Sequence, residues 1–340
     1  MGQVTQALAL REGGFAKGPR PQVPGDLHAH LELREIELPE PGEGQVLVEV
    51  ILSPVNPSDF FYLQGAYGQP RQQGHAAGFE GCGRVIAAGG AAGEKLVGKR
   101  VAFLGSGSGS WATHAVAEAA LCIPLSDAVR DVDGAALVVN PLTAVALVER
   151  GRAGGEAFIL NAAASQLGRL MLGLARDEGL KPIAVIRRPG EEDALREAGA
   201  TEVLVSSEPD FMAKAQAAIK ALKPRVLLDA VGDQATADLF FTMPSGAAWV
   251  SYGKMSEEAP SLTQMGQFIF MGKTIEGFWL SRELLSAPPE RSAKVIAQVQ
   301  KRFASGAWST RVAEEIPLDQ ALDRILPAYA SGAGKVMIRP

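Results

Sequence analysis

The sequence predicts an α/β chain in two parts, a β-rich domain and a doubly wound domain built on a parallel sheet. Three observations predict it. Roughly the first 125 residues alternate short β-patterned runs with Gly- and Pro-rich turns. After Asp133, short apolar strands alternate with helices of amphipathic spacing. The chain has 340 residues, which at roughly 150 per domain is room for two cores.

The elements follow in order. Residues 12–30, rich in Gly, Pro and basic side chains, read as an exposed loop. Leu31, Leu33 and Ile36 alternate as a strand, Pro39-Glu40-Pro41-Gly42 turns the chain, and 46–52 is a second β-run. Residues 83–88 and 98–103 are further strands. Helical spacing over 135–150 opens the second part, with strands at 157–162, 182–186, 202–205, 226–230 and 247–251. Helices fall at 166–178, 191–198, 209–222 and 234–241, and residues 274–278 extend the sheet. Residues 291–305 and 318–331 are helical, and 335–338 is a strand that returns to the first domain.

Composition excludes several functions. A formal net charge of −5 with 21% charged residues offers no basic face for nucleic acid or an anionic membrane. Two cysteines, Cys82 and Cys122, rule out a disulfide framework and point to a reduced, cytoplasmic compartment. The start Met1-Gly2-Gln3-Val4-Thr5 lacks the pattern of a secretion signal, and no run reaches the roughly 18 apolar residues of a membrane helix. His28-Ala29-His30 has no third ligand nearby, so no metal site is expected there. By contrast, 38 glycines favour a site that holds phosphate with backbone N–H groups.

Such a site follows the first α/β strand. In Asn161-Ala162-Ala163-Ala164-Ser165-Gln166-Leu167-Gly168, small residues at 163, 165 and 168 reproduce the spacing Gly-x-Gly-x-x-Gly. Gly168 suits close helix–strand packing. Ala163 and Ser165 serve only if their backbone angles stay in regions open to L-residues. An ordinary strand-to-helix turn reads the same way, and the position between strand and helix is what favours the phosphate reading. The next strand ends in Arg187-Arg188, where a 2′-phosphate favours Arg and a free ribose hydroxyl favours Asp or Glu. The pair therefore predicts NADPH. The bland alternative is a solvated pair neutralised by Glu191 and Glu192.

This arrangement resembles the medium-chain dehydrogenase/reductase superfamily, whose zinc enzymes carry Cys, His and Cys where this chain has Asn56, Phe79 and Asn140. None of the three replacements is a good zinc ligand, so the expected metal content is none. Within the superfamily the chain resembles the zinc-independent trans-2-enoyl thioester reductases and the neighbouring quinone oxidoreductases. The likeness rests on Asn56-Pro57-Ser58-Asp59, Gln64-Gly65-Ala66-Tyr67, Asn140-Pro141-Leu142-Thr143-Ala144, Asn161-Ala162-Ala163, Ser251-Tyr252-Gly253-Lys254-Met255, Glu276-Gly277-Phe278-Trp279-Leu280-Ser281 and Gly334-Lys335-Val336.

The resemblance implies a GroES-like catalytic domain over 1–130 and 290–340 and a Rossmann domain over 131–289. It implies NADPH-dependent reduction of an activated C=C bond in an acyl thioester, with an enone or quinone as the alternative substrate. A non-catalytic NADPH-binding sensor or subunit is the alternative of another class. Tyr67 is implied as the proton donor, and the chemistry agrees: a neutral phenol, pKa about 10, can hydrogen-bond an enolate oxygen and pass a proton without a metal. Asn56 is implied beside it. Cofactor contacts are expected from Thr143, the turn Ala163, Ser165, Gln166, Leu167 and Gly168, the pair Arg187 and Arg188, and Phe278, Trp279 and Leu280. Tyr252 and Gly253 end a parallel strand, where open sheets bind ligands. Lys335 is expected at a phosphate, and a homodimer is expected to form through 274–279.

Overall fold

A computed structural model describes residues 3–105 and 108–340, so Met1 and Gly2 of the start read above lie outside the described residues. The chain divides into two compact units, Met1–Val139 with Ile296–Pro340, and Asn140–Val295.

In the first unit β1 (Gln3–Leu10) pairs antiparallel with β2 (Leu31–Leu38), from Gln3↔Leu38 to Leu10↔Leu31. β1 is absent from the expected strands because its buried residues, Ala7 to Leu10, run without a break instead of alternating. Then come β3 (Gln45–Pro54), β4 (Glu80–Ala88), β5 (Arg100–Leu104), β6 (His114–Glu118) and β7 (Cys122–Pro124), all joined antiparallel. The loop 12–30 is exposed for most of its length, but Leu27 is fully buried against the core of Leu8, Leu31, Phe60 and Trp111.

Between β3 and β4 lies a helix the sequence does not predict, Pro57–Leu63. Asn56 is its N-cap, Pro57 occupies its first turn, and the Asp59 carboxylate accepts the Asn56 backbone N–H at 2.7 Å. The single helix expected over 135–150 is two, Asp131–Ala135 and Val139–Ala153. The break has a cause: the Glu80 carboxylate accepts the N–H groups of Val138 (3.0 Å) and Val139 (2.8 Å), starting a new helix there. Ala135 and Ala136 pack with Leu52, Cys82 and Met337, so the short helix belongs to the first unit, whereas the expected boundary preceded it.

The second unit carries β8 (Ala157–Leu160), β9 (Lys181–Ile186), β10 (Glu202–Val205), β11 (Val226–Asp229), β12 (Ala248–Ser251) and β13 (Thr274–Gly277). They form one parallel sheet in the order β10-β9-β8-β11-β12-β13, with Ile159, Leu204, Phe211, Leu227, Phe240 and Trp249 in its core. The order reverses between β8 and β11, which makes the carboxyl ends of those strands the place for a ligand. The edge strand β13 is exposed along all four residues. The chain closes with β14 (Val312–Pro317) and β15 (Lys335–Arg339), which pair parallel, and β15 joins β3, completing the first unit's sheet in the order β14-β15-β3-β4-β5-β7. Among the described residues no helix is long and apolar enough to cross a membrane.

Candidate functional site

In the second unit the turn after β8 brings strand and helix close together. Ala163 and Ser165 avoid positive φ; the left-handed residue is Ala162, at φ 48°. Such a conformation costs an L-residue on the order of 1 kcal/mol. The Ser165 hydroxyl caps the helix Gln166–Asp177 by accepting the Gly168 N–H at 3.1 Å. A Cβ on Gly168 would lie 2.4 Å from the Ala163 carbonyl oxygen, so only glycine lets helix and turn approach this closely. The start of the helix thus presents its positive end and first-turn N–H groups at the sheet's switch point.

The arginine pair after β9 is exposed, and among the described residues neither Arg187 nor Arg188 has a hydrogen bond or ion pair. The neighbouring acidic residues Glu191 and Glu192 are engaged elsewhere. Glu191 pairs with Arg169 at 2.5 Å, and Glu192 accepts the Gly190 N–H at 2.6 Å. Two unneutralised guanidinium groups beside a dinucleotide turn suit a 2′-phosphate.

The floor at the ends of β8, β11 and β12 is a polar network. Asn161 Nδ2 donates to Asp229 Oδ1 (2.5 Å) and Thr236 Oγ1 (3.1 Å), and Asn161 Oδ1 accepts the Ala230 N–H. Trp249 Nε1 donates to Asp229 Oδ2 at 2.8 Å. Tyr252 is half-buried above it, its N–H on the Asp229 carbonyl; burial, then the Asp229 charge, push its phenol well above its ordinary range. Gly253 lies against Ala230, where a Cβ would meet the carbonyl oxygen at 2.8 Å. Phe278 is buried with the Arg150 guanidinium 5.5 Å from its ring centre, Trp279 is exposed, Leu280 is half-buried, and Thr143 is buried.

The first unit gathers the other candidates. Tyr67 is half-buried with its ring 4.9 Å from that of Phe79, which is itself 5.1 Å from Tyr62. Phe79 N–H donates to Asp59 Oδ1 at 3.2 Å. Behind this stack lies a buried charged cluster: Asn56, Asp59, Glu80 and Lys335, none more than 7% exposed. Lys335 Nζ donates to Asn56 Oδ1, and Asn56 Nδ2 donates to Glu80 Oε1 at 2.9 Å. Burial pushes the Asp59 carboxyl up to about 7 and raises Glu80, with Lys335 opposing both; burial likewise lowers Lys335.

Two of the expected residues are engaged within the first unit. Lys335 is buried, its ammonium directed to the Asn56 amide and under the charges of Glu80 and Asp59. Asn56 has its carbonyl oxygen taken by Lys335 and its amide nitrogen by Glu80. Asp59 and Glu80 escaped sequence reasoning. The available signal was the run Asn-Pro-Ser-Asp, which reads as a helix cap with Pro at the first position. No group of three or more His, Cys, Asp or Glu suited to a metal occurs among the described residues.

Residues 42–127 match the family described as Alcohol dehydrogenase GroES-like domain, and residues 167–301 match Zinc-binding dehydrogenase. The mitochondrial enoyl-[acyl-carrier-protein] reductase of Rattus norvegicus is 31% identical over 323 residues, covering 90% of this chain and 84% of that protein. The chain belongs to the medium-chain dehydrogenase/reductase family. A crystal structure of a protein from Mesorhizobium loti, provisionally named an NADPH:quinone reductase, is 44% identical, with TM-score 0.94 over 99% of this chain and 98% of that one. The Etr1p/NADP/crotonyl-CoA complex shares the fold at TM-score 0.80 and 22% identity, covering 99% and 100% of the two chains. Of the places where zinc members of the family carry ligands, Asn56 is built into the charged cluster and Phe79 into the aromatic stack.

Proposed function

We propose that this chain is an NADPH-dependent reductase of carbon–carbon double bonds conjugated to a carbonyl, with 2-enoyl thioesters as substrates. Support for the cofactor comes from Arg187 and Arg188, left unneutralised beside the Gly168 turn. In this reading the turn from Ala163 to Gly168 holds the pyrophosphate, and the arginines hold the 2′-phosphate. Thr143, Tyr252, Gly253, Phe278, Trp279 and Leu280 line the rest. When bound, the cofactor supplies hydride to Cβ.

The observation that carries the substrate class is Tyr67, a phenol held on Phe79 in the unit that lacks metal-ligand clusters among its described residues. Its hydroxyl donates to the carbonyl oxygen as negative charge builds there and supplies the proton taken up at Cα. Asn56 acts behind it. Tyr67→Phe should lower turnover of a crotonyl thioester about 10²-fold or more, the usual worth of a general acid, with NADPH affinity retained. Near-normal turnover would refute the role.

The Mesorhizobium loti protein, named for quinone reduction, supports a second reading in which the substrate is a quinone or enone. NADPH oxidation measured with a crotonyl thioester and with a quinone decides between them. Activity on the quinone alone favours the second reading, and cofactor binding without turnover of either favours a sensor.

The quaternary state we propose is a two-fold homodimer joined at β13. That strand is exposed throughout, and Ile269, Phe270, Ile275 and Leu285 around it expose 75%, 86%, 42% and 85% of their surfaces. Sedimentation at the mass of one chain in dilute solution would refute it. A cytoplasmic setting is supported by Cys82 and Cys122, both buried as free thiols.

A further inference from the structure

We propose that Arg169 is a positioning residue for cofactor choice, acting by holding Glu191 away from the 2′-phosphate; this rests on the NADPH reading above. Arg169 is the fourth residue of the helix that follows the phosphate turn. Its Nη2 donates to Glu191 Oε2 at 2.5 Å, and its Nε donates to the Ala164 carbonyl in the turn itself at 3.3 Å. The pair ties the phosphate turn to the segment after β9 that carries Arg187 and Arg188.

Of the adjacent pair Glu191 and Glu192, Glu191 is the one placed by another side chain. Glu192 is fixed by the Gly190 backbone N–H. Glu191 stands three residues beyond Arg188, and a carboxylate in this region is what recognises a free ribose 2′-hydroxyl in a dinucleotide domain. Released, it repels a 2′-phosphate and offers an acceptor to a 2′-hydroxyl. Both effects lower the preference for NADPH over NADH. Arg169 suppresses both by neutralising the carboxylate and fixing its direction.

Two readouts test this. One is calorimetric binding of 2′,5′-ADP and of 5′-AMP to the cofactor-free protein; the other is the NADPH/NADH ratio of kcat/KM. Arg169→Gln should lower both preferences about tenfold, the scale of one unscreened surface charge near a phosphate. The loss should shrink as salt is raised. Glu191→Gln alone should not lower either preference, and the double variant Arg169→Gln/Glu191→Gln should recover to within about twofold of Glu191→Gln. A double variant as impaired as Arg169→Gln overturns the inference, because Arg169 would then contact the phosphate itself. Unchanged preference in Arg169→Gln also overturns it. If the parent protein binds 2′,5′-ADP no better than 5′-AMP, the NADPH reading fails first. If the parent prefers 2′,5′-ADP and the variant does too, only the role of Arg169 falls.

Discussion

Replacing Gly168 by Ala tests the phosphate turn at its tightest point. The added methyl carbon would stand 2.4 Å from the Ala163 carbonyl oxygen and 2.7 Å from its carbonyl carbon and Cα. Carbon side-chain atoms essentially never come within 3.0 Å of a neighbour, so turn and helix must separate by about 0.6 Å at least. All three obstructing atoms are backbone, so no side-chain rotation relieves the clash. The turn is also tied down by Ser165 N–H on the Ala162 carbonyl (3.0 Å), Gly168 N–H on Ser165 Oγ (3.1 Å) and Ala163 N–H on the Val185 carbonyl (3.3 Å). A shift of that size stretches bonds already near their normal length. Overpacking of this kind costs about 1–3 kcal/mol of folding stability. The same shift moves the N–H groups of the helix's first turn, which the proposed function assigns to the pyrophosphate, and on that reading NADPH should bind about tenfold more weakly or worse. Denaturant unfolding of the cofactor-free protein and calorimetry with NADPH measure the two effects. Unchanged stability together with a Kd within twofold of the parent would refute the packing argument.

Two further variants probe the buried cluster of the first unit. At about pH 8, where Asp59 is ionised, Lys335→Met should destabilise the fold by about 3–5 kcal/mol, because it leaves Glu80 and Asp59 without their cation; a loss under about 1 kcal/mol in urea unfolding at that pH would show that the carboxylates are not both charged. Asp59→Asn should remove a pH dependence. The Asp59 carboxyl titrates near 3.8 when unfolded and is pushed up to about 7 by burial, so across that window the folded chain holds a proton that the unfolded chain has lost. The stability this group contributes is full below the lower value and falls as pH rises to the upper one, by up to about 1.4 kcal/mol per pH unit. The stability difference between parent and Asp59→Asn should therefore shrink from about pH 4 to about pH 7, and a constant difference would count against the titration.

What could be read from the sequence follows from which physical signal each element leaves in it. The strands and helices of the second unit are legible because parallel strands covered on both faces are continuous apolar runs and their helices keep one apolar stripe. In the first unit, β7 has three residues and β14 keeps only Ile316 fully buried, so neither shows alternation. The phosphate turn is legible by position and spacing. Its left-handed residue is not: the chain turns at Ala162, one residue before the small-residue spacing begins. Asp59, Glu80 and Lys335 look like ordinary surface residues in the sequence, since charged side chains are seldom buried. Only the closing of β15 onto β3 puts Lys335 beside residues nearly 280 positions earlier.

That closure also redefines what Asn56 does. A residue expected beside the reacting atoms has its amide oxygen on Lys335, its amide nitrogen on Glu80 and its backbone N–H on Asp59. Asp59 in turn accepts the Phe79 N–H, and the Phe79 ring supports Tyr67. The three bonds of Asn56 are buried, and each uses a group that is costly to leave unpaired. Two of the positions where zinc members of the family bear ligands, Asn56 and Phe79, are therefore linked to Tyr67 through hydrogen bonds and ring packing. On this geometry Asn56 belongs to the support of Tyr67, two residues removed from it along the chain of contacts; Tyr67 and Phe79 are the half-buried members of the group, and of the two only Tyr67 carries a hydroxyl.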